Sequence, residues 1–233
     1  MKPTEFYERL EVRGLSLTDV QKEQFHRYFE LLGEWNERMN LTGITDEEGV
    51  YGKHFYDSLD PFLDMDMTNL QTVCDVGTGA GFPGVPLAIA YPHLQVYLVD
   101  SLNKRIDFLK HVADEIGLTN VFAYHARAEE FCVDRREFFD VVTSRAVARL
   151  NILMELCGPL IKQGGLFVVL KGPAGDEELV EAKSGLRILG LQVLESKSAS
   201  LDIGERINIY MRKVSPTPKK YPRQFGQIKK KPL

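Results

Sequence analysis

The chain is poor in every feature that would tie it to the cell exterior or to a membrane. Its three cysteines, Cys74, Cys132 and Cys157, are scattered with no CxxC pair among them. That spacing excludes a disulfide frame or a cysteine-based zinc site and suits reduced, partly buried thiols in the cytoplasm. No run approaches the roughly 18 apolar residues that a membrane crossing needs. The opening MKPTEFYERLEVRG holds no apolar stretch of the kind that drives secretion, so no secretory leader is expected. Internal repeats and low-complexity blocks are missing as well, which excludes a repeat architecture.

What is present is the composition of an ordinary globule, 44% hydrophobic and 27% charged over 233 residues. That length holds one medium α/β domain with extra elements, or two very small domains. The net charge of −4 is unevenly spread. From Val214 onward the chain carries Lys219, Lys220, Arg223, Lys229, Lys230 and Lys231 and no acid. Without those six, 23 basic residues face 33 acidic ones, a body at −10. Overall charge therefore does not attract a polyanion, and any nucleic-acid contact must use local basic patches. The tail reads equally well as such a patch or as a solvated, disordered extension.

The first sixty residues read as helical. Between Ser16 and Asn40, Val20, Phe25, Tyr28, Phe29, Leu32, Trp35 and Met39 recur near a 3.6-residue period, with Thr18 and Gln21 placed as a capping box. From Gln71 the pattern changes to alternating strands and helices. TVCDVG, QVYLVD, NVFAYH, FDVVTS and GGLFVVLKG read as strands, and LQVLESKS with ERINIYMRKV as a closing antiparallel pair. VPLAIAY, NKRIDFLKHVADEIG, LNILMELCGPL and AGDEELVEAKSGLRILG read as the intervening helices. The expected fold is Rossmann-like α/β, a seven-stranded, mostly parallel sheet with its last strand antiparallel and an N-terminal helical extension. The expected division is a helical cap over 1–66, a core over 67–213 and a basic tail over 214–233. Ligands of such sheets sit outside the carboxyl ends of the central strands.

The sharpest motif is VCDVGTGAGFPG at 73–84. Gly77, Gly79 and Gly81 let the backbone turn tightly and approach a ligand. Nicotinamide enzymes share such turns, so two details separate the readings. Asp75 closes the strand two residues before Gly77, where it is expected to face the ammonium of an amino-acid-like ligand, and the spacing is GxGxG rather than GxGxxG. A pyrophosphate would be repelled by that carboxylate, whereas a methionine moiety with a cationic sulfonium tolerates it. The cofactor read from these residues is S-adenosyl-L-methionine. Asp100, at the end of the second strand, is placed to accept the ribose hydroxyls. Ala128 and Glu129 follow the third strand, where adenine would lie, although Glu129 equally suits a helix start. Phe82 and Pro83 are set to wall the methionine side; core packing is an equal reading for Phe82.

Methyl transfer from a sulfonium is an in-line displacement in which orientation and desolvation carry most of the catalysis. Exocyclic-amine acceptors commonly meet an Asn/Asp-Pro-Pro-aromatic motif after the fourth strand, and carbon-5 of a pyrimidine needs a cysteine nucleophile. Neither signature is found in FDVVTSRAVA. A ring nitrogen such as guanine N7 offers a free lone pair, so no general base is expected. Arg145 and Lys171 follow strands four and five and are candidate positioning residues, open between a phosphate, the methionine carboxylate, a base edge and a plain salt bridge. No metal site is expected: His54 lacks a partner at ligand spacing and reads as a satisfied helix histidine. Lys104, Arg105, Lys110 and His111 share one helix and favour RNA as the acceptor.

Longer stretches carry a family resemblance over nearly the whole chain: WNERMNLTGI at 35–44, HFYDSL at 54–59, DVGTGAGFPG at 75–84, DSLNKRIDFL at 100–109, RAEEF at 127–131, TSRAVA at 143–148 and LKGP at 170–173. On these motifs the chain resembles the RsmG (GidB) family of small-subunit ribosomal RNA guanine-N7 methyltransferases. The resemblance implies transfer of one methyl to N7 of a guanosine in the decoding-region loop of 16S rRNA, on naked rRNA or a 30S particle. It implies cofactor contacts at Gly77, Phe82, Ala128, Glu129 and Arg145, with Asp100, Ser101 and Leu102 beside the ribose. The basic ending TPKKYPRQFGQIKKKPL resembles that of Gram-positive members, departing only at Gln227-Ile228, where relatives often have Thr-Pro. RNA contacts are expected at Lys104 and Arg105 and at the six basic tail residues. WNERMNLT and HFYDSL have no chemistry of their own to read and are taken as a cap over the cofactor edge. No motif suggests more than a monomer. Three other readings compete: a methyltransferase acting on a small molecule or protein, a NAD-dependent oxidoreductase, and a non-catalytic RNA-binding module that keeps the fold.

Overall fold

A computed structural model describes residues 1–145, 147–201 and 204–233; Ala146, inside the TSRAVA stretch, lies outside the described residues. The strands are β1 (Thr72–Val76), β2 (Gln95–Asp100), β3 (Val121–His125), β4 (Phe139–Arg145), β5 (Ile161–Lys171), β6 (Leu191–Leu201) and β7 (Gly204–Lys213). They form one sheet in the order β3-β2-β1-β4-β5-β7-β6. Neighbours among β1 to β5 pair in parallel, and β7 runs antiparallel to both β5 and β6. The continuous apolar character of the central strands follows from burial on both faces. Val73, Leu98, Val141 and Val168 pack on one side, and Cys74, Val99, Val142 and Phe167 on the other.

Helices Gly84–Ala90, Asn103–Glu115 and Leu150–Cys157 follow β1, β2 and β4. The stretch after β5, read from sequence as one helix, is two, Gly175–Glu181 and Lys183–Leu189, broken at the buried Ala182. The break brings Gly185 against Met154, where an added Cβ would lie 3.0 Å from the methionine methyl. At the N-terminus, Pro3–Val12 precedes the long helix Asp19–Met39. Thr18 and Gln21 form the expected capping box, and Asn40 closes the helix in the left-handed conformation.

The helical N-terminal segment shares its core with the sheet. Phe6, Phe25, Tyr28, Tyr51 and Phe55 are fully buried together with Val85 and Leu109. Gln21 Nε2 donates to the Ile89 carbonyl at 2.7 Å, and the Tyr28 hydroxyl donates to the Ala80 carbonyl at 2.5 Å. The segment HFYDSL lies where a π-helical turn, Tyr51–Tyr56, passes into Asp57–Leu59. No helix among the described residues is long and apolar enough to cross a membrane.

The basic tail is not a solvated extension. It returns across the opposite face of the sheet from the N-terminal helices, ends in the helix Phe225–Lys230, and buries Thr217, Tyr221 and Ile228. Its composition left a basic patch and a disordered extension equally open; in the fold the lysines are exposed and the apolar residues between them do the packing.

Candidate functional site

β1 and β2 end side by side, and the turn after β1 opens a cleft of about 530 Å³ at their carboxyl ends. The turn takes positive φ at Gly77 (71°), Gly79 (62°) and Gly81 (104°), a region that side chains disfavour. Gly77 and Gly79 line the cleft. Gly81 instead serves packing: a Cβ there would lie 2.7 Å from the Tyr28 hydroxyl and from Val85.

Asp100 forms the floor of the cleft, nearly buried. Its Oδ2 accepts from Gly79 N at 3.0 Å and from Arg105 at 3.1 Å, and its Oδ1 from Leu102 N at 2.9 Å. A carboxylate offers about four acceptor positions, so about one remains while Arg105 stays. Arg105, expected on RNA, is thus placed in the cleft on Asp100, five residues before it in the chain. Ser101 lines the cleft; Leu102 is exposed and contributes only its N–H.

Asp75 does not face the cleft, contrary to the expectation from its position. Strand alternation puts it on the Val73 face, behind the turn and fully buried. Its Oδ2 accepts from the Thr78 hydroxyl at 2.7 Å and from Gly84 N at 2.9 Å, holding the loop from beneath. Oδ1 has no partner, nor has Thr143 Oγ1 at the paired position of β4. Burial pushes the Asp75 carboxyl up to about 6.

Beyond β3 the far end of the cleft is lined by Ala126, Arg127, Ala128, Glu129, Leu156 and Phe225. At the near end stand Leu41, Thr42, His54, Phe82 and Arg145. His54 stacks on Phe82 at 4.6 Å and 22°, and the Arg145 guanidinium lies 4.9 Å from the centre of the same ring. His54 Nδ1 lies 3.1 Å from the Lys53 carbonyl and 3.4 Å from an Arg145 guanidinium nitrogen, and Nε2 lies 2.7 Å from the Thr42 hydroxyl. Burial, and then the charge of Arg145, hold its pKa down to about 4.

His54 and Arg145 also wall a second cavity of about 370 Å³, lined further by Lys53, Asp57, Lys171 and Arg206. The nearly buried Asp57 carboxylate accepts from Arg145 at 2.9 Å and from Arg206 at 3.0 Å. Lys171 is paired with Glu178 at 2.7 Å and donates to the Ala148 carbonyl. Both candidate positioning residues therefore carry the salt bridges that were the plainer alternative, while still bordering the cavity.

The remaining expected residues divide by exposure. Lys104, Lys219, Lys220, Lys229, Lys230 and Lys231 are exposed. Arg223 is half-buried, its guanidinium gripping the fully buried Glu155 at 2.5 and 2.7 Å. Sequence reasoning singled out none of Asp57, Arg127, Leu156, Arg206 and Phe225, although Asp57 lies in HFYDSL, Arg127 in RAEEF and Phe225 in the basic ending. For Leu41, Thr42 and His54 the signal was present, since they belong to the two motifs that had no assigned chemistry. All three cysteines are buried, and burial raises Cys132 to about 11 and Cys74 well above its ordinary value, so none offers a nucleophilic thiolate.

Comparison with known proteins agrees with this geometry. The profile of the GidB family, described as rRNA small subunit methyltransferase G, matches residues 21–206. A protein of Lysinibacillus sphaericus named ribosomal RNA small subunit methyltransferase G is 54% identical over the full length of both chains. One of that name from Staphylococcus haemolyticus is 55% identical over 96% of this chain and 95% of its own. Among solved structures, a variant of the 16S rRNA (adenine(1408)-N(1))-methyltransferase of Catenulisporales acidiphilia, with its cosubstrate SAM, superposes with a TM-score of 0.55. It is 18% identical over 64% of this chain and 87% of its own. The antibiotic-resistance methyltransferase Kmr gives 0.53 at 16% identity, over 62% and 87%. These structural likenesses establish the fold.

Proposed function

Since the chain belongs to the rRNA small subunit methyltransferase G family, we propose that it transfers a methyl group from S-adenosyl-L-methionine to N7 of a guanosine in the decoding-region loop of 16S rRNA. The observation that carries this reading is the pair of adjoining cavities, a glycine-walled cleft over Asp100 and a second pocket with cationic walls, with His54 and Arg145 lining both.

The residues fit the cofactor. A Cβ on Gly79 would meet nothing within 4 Å, so the turn leaves its open side to a ligand. Gly77 and Gly79 would hold the methionine portion against the backbone, and Asp100 would accept a ribose hydroxyl, two once Arg105 moves aside. Ala126, Ala128 and Leu156 make an apolar slot for a purine, with Glu129 at its edge to accept an exocyclic amine. Thr42 and Arg145 would face the methionine carboxylate. Bound S-adenosyl-L-methionine supplies a methyl group already activated by its sulfonium.

The protein's part is orientation. Phe82, stacked by His54 and capped by Arg145, fixes the wall between the cavities. Asp57 locks Arg145 and Arg206, so neither needs to reorganise during transfer. His54 has its ring nitrogens engaged and stays neutral above about pH 4, which makes it a poor proton acceptor. A lone-pair nitrogen needs no such acceptor, whereas an exocyclic amine or a ribose hydroxyl would. RNA enters past Lys53 and Lys104, with phosphates held by the five exposed tail lysines. The chain works in the cytoplasm as a monomer, with residues 1–66 as the cap, 67–213 as the catalytic core and 214–233 as the docked tail.

The test is direct methylation. The purified protein, methyl-labelled S-adenosyl-L-methionine and either deproteinised 16S rRNA or 30S particles lacking the modification should yield 7-methylguanosine on nucleoside digestion. Label on an exocyclic amine or ribose oxygen, or in a small-molecule or protein acceptor alone, contradicts the proposal.

A further inference from the structure

Deleting a basic tail would ordinarily be expected to weaken RNA binding and leave the cofactor untouched. The placement of Phe225 says otherwise. Its side chain lines the cofactor cleft, and its N–H lies 3.3 Å from Glu129 Oε1. The Arg127 guanidinium lies 5.1 Å from the centre of its ring, and Arg127 Nε donates to the same Glu129 oxygen at 3.0 Å. Phe225, Arg127 and Glu129 thus close the far end of the cleft as a unit, and one of the three comes from the tail.

The segment around Phe225 is pinned on both sides. Two residues before it, Arg223 donates to Glu155 through its backbone N–H, Nε and Nη2. Glu155 is fully buried on the helix Leu150–Cys157, and a buried carboxylate is tolerable only when paired. Three residues after Phe225, Ile228 is fully buried in the core. Further up, Arg136 donates to the carbonyls of Thr217, Pro218 and Tyr221, and Lys213 holds Thr217. The strap is therefore part of the folded body, and the slot it closes has the chemistry of an aminopurine site: an aromatic face, small apolar walls at Ala126 and Ala128, and a carboxylate at the rim.

We propose that the C-terminal strap completes the cofactor site, with Phe225 serving as a binding residue for the adenine end of S-adenosyl-L-methionine. This rests on the methyltransferase reading above. It gives the tail two separate duties: exposed lysines toward RNA, and Phe225 toward the cofactor.

The probe is S-adenosylhomocysteine, titrated calorimetrically into the full chain and its variants without RNA. Phe225→Ala should weaken binding roughly tenfold, within the usual range for loss of a stacking aromatic. Phe225→Tyr keeps the ring and should retain nearly all of the affinity, and Gln227→Ala, an exposed residue on the same strap, should leave that affinity unchanged. In the unmodified protein, S-adenosylhomocysteine should slow amide exchange in residues 223–229, a readout that needs no folding of a variant. Unchanged affinity in Phe225→Ala, or unchanged strap exchange on saturation, would overturn the proposal while leaving the methyltransferase reading intact. An unmodified protein that binds no S-adenosylhomocysteine would overturn both.

Discussion

At the scale of single residues, the site is built from charges in fixed partnerships, and two carboxylates separate its structural and binding duties. Asp75 supports the glycine turn from behind. Its pKa of about 6 in the fold lies above the ordinary carboxylate value, so the folded state binds that proton more tightly than the unfolded chain. Its contribution to stability is full below about pH 4 and is lost as pH rises to about 6, by roughly 3 kcal/mol. Asp75→Asn lacks this dependence. Denaturant titrations should therefore show the variant gaining on the parent as pH rises from about 4 to 6. A constant difference across that window would mean that Asp75 is not buried as described. Asp100, by contrast, borders the cleft, and Asp100→Ala should weaken S-adenosylhomocysteine by about 1–3 kcal/mol in calorimetry. Unaltered affinity would remove it from the ribose site.

At the scale of elements, legibility in the sequence followed the range of the contacts involved. β1, β2 and β4 announce themselves as apolar runs, and the capping box at Thr18 is local to four residues. The glycine turn and Asp100 were legible for the same reason. Asp75 was misassigned because its position after a strand was read without the strand's alternation, which sets it on the face of Val73. Arg105 was counted toward RNA because its partner, Asp100, had been assigned wholly to the ribose. The tail was illegible: Phe225 reaches the cleft only because Arg223 meets Glu155, 68 residues away. This pairing has a measurable consequence. Arg223→Ala leaves a buried carboxylate short of donors and should cost about 1.5–3 kcal/mol of stability in denaturant titration, the range for hydrogen bonds to a charged group. Replacing Lys229, Lys230 and Lys231 by alanine should leave stability nearly unchanged and flatten the salt dependence of rRNA binding by about one slope unit per lost phosphate contact. A salt slope unaltered by the triple replacement would take those lysines out of the RNA interface.

At the scale of the whole molecule, one sheet carries its N-terminal helices on one face and its docked tail on the other, and the two cavities adjoin at His54 and Arg145. The wall they share, His54 and Arg145, both packed on Phe82 of the cleft, joins the N-terminal cap and the end of β4 to the glycine loop. In that wall the pKa of His54 is held down to about 4 by burial and by the charge of Arg145, too low to take a proton near neutrality. The central claim is that transfer runs by alignment alone onto a nitrogen lone pair. The most direct measurement is the single-turnover methylation rate against pH, with cofactor saturating and RNA folding held constant. Between about pH 6.5 and 9 the rate should stay flat, because no side chain has to lose a proton for chemistry. A rate climbing about tenfold per pH unit through that range would require a catalytic base. That result would contradict the account and move the acceptor to an amine or a hydroxyl.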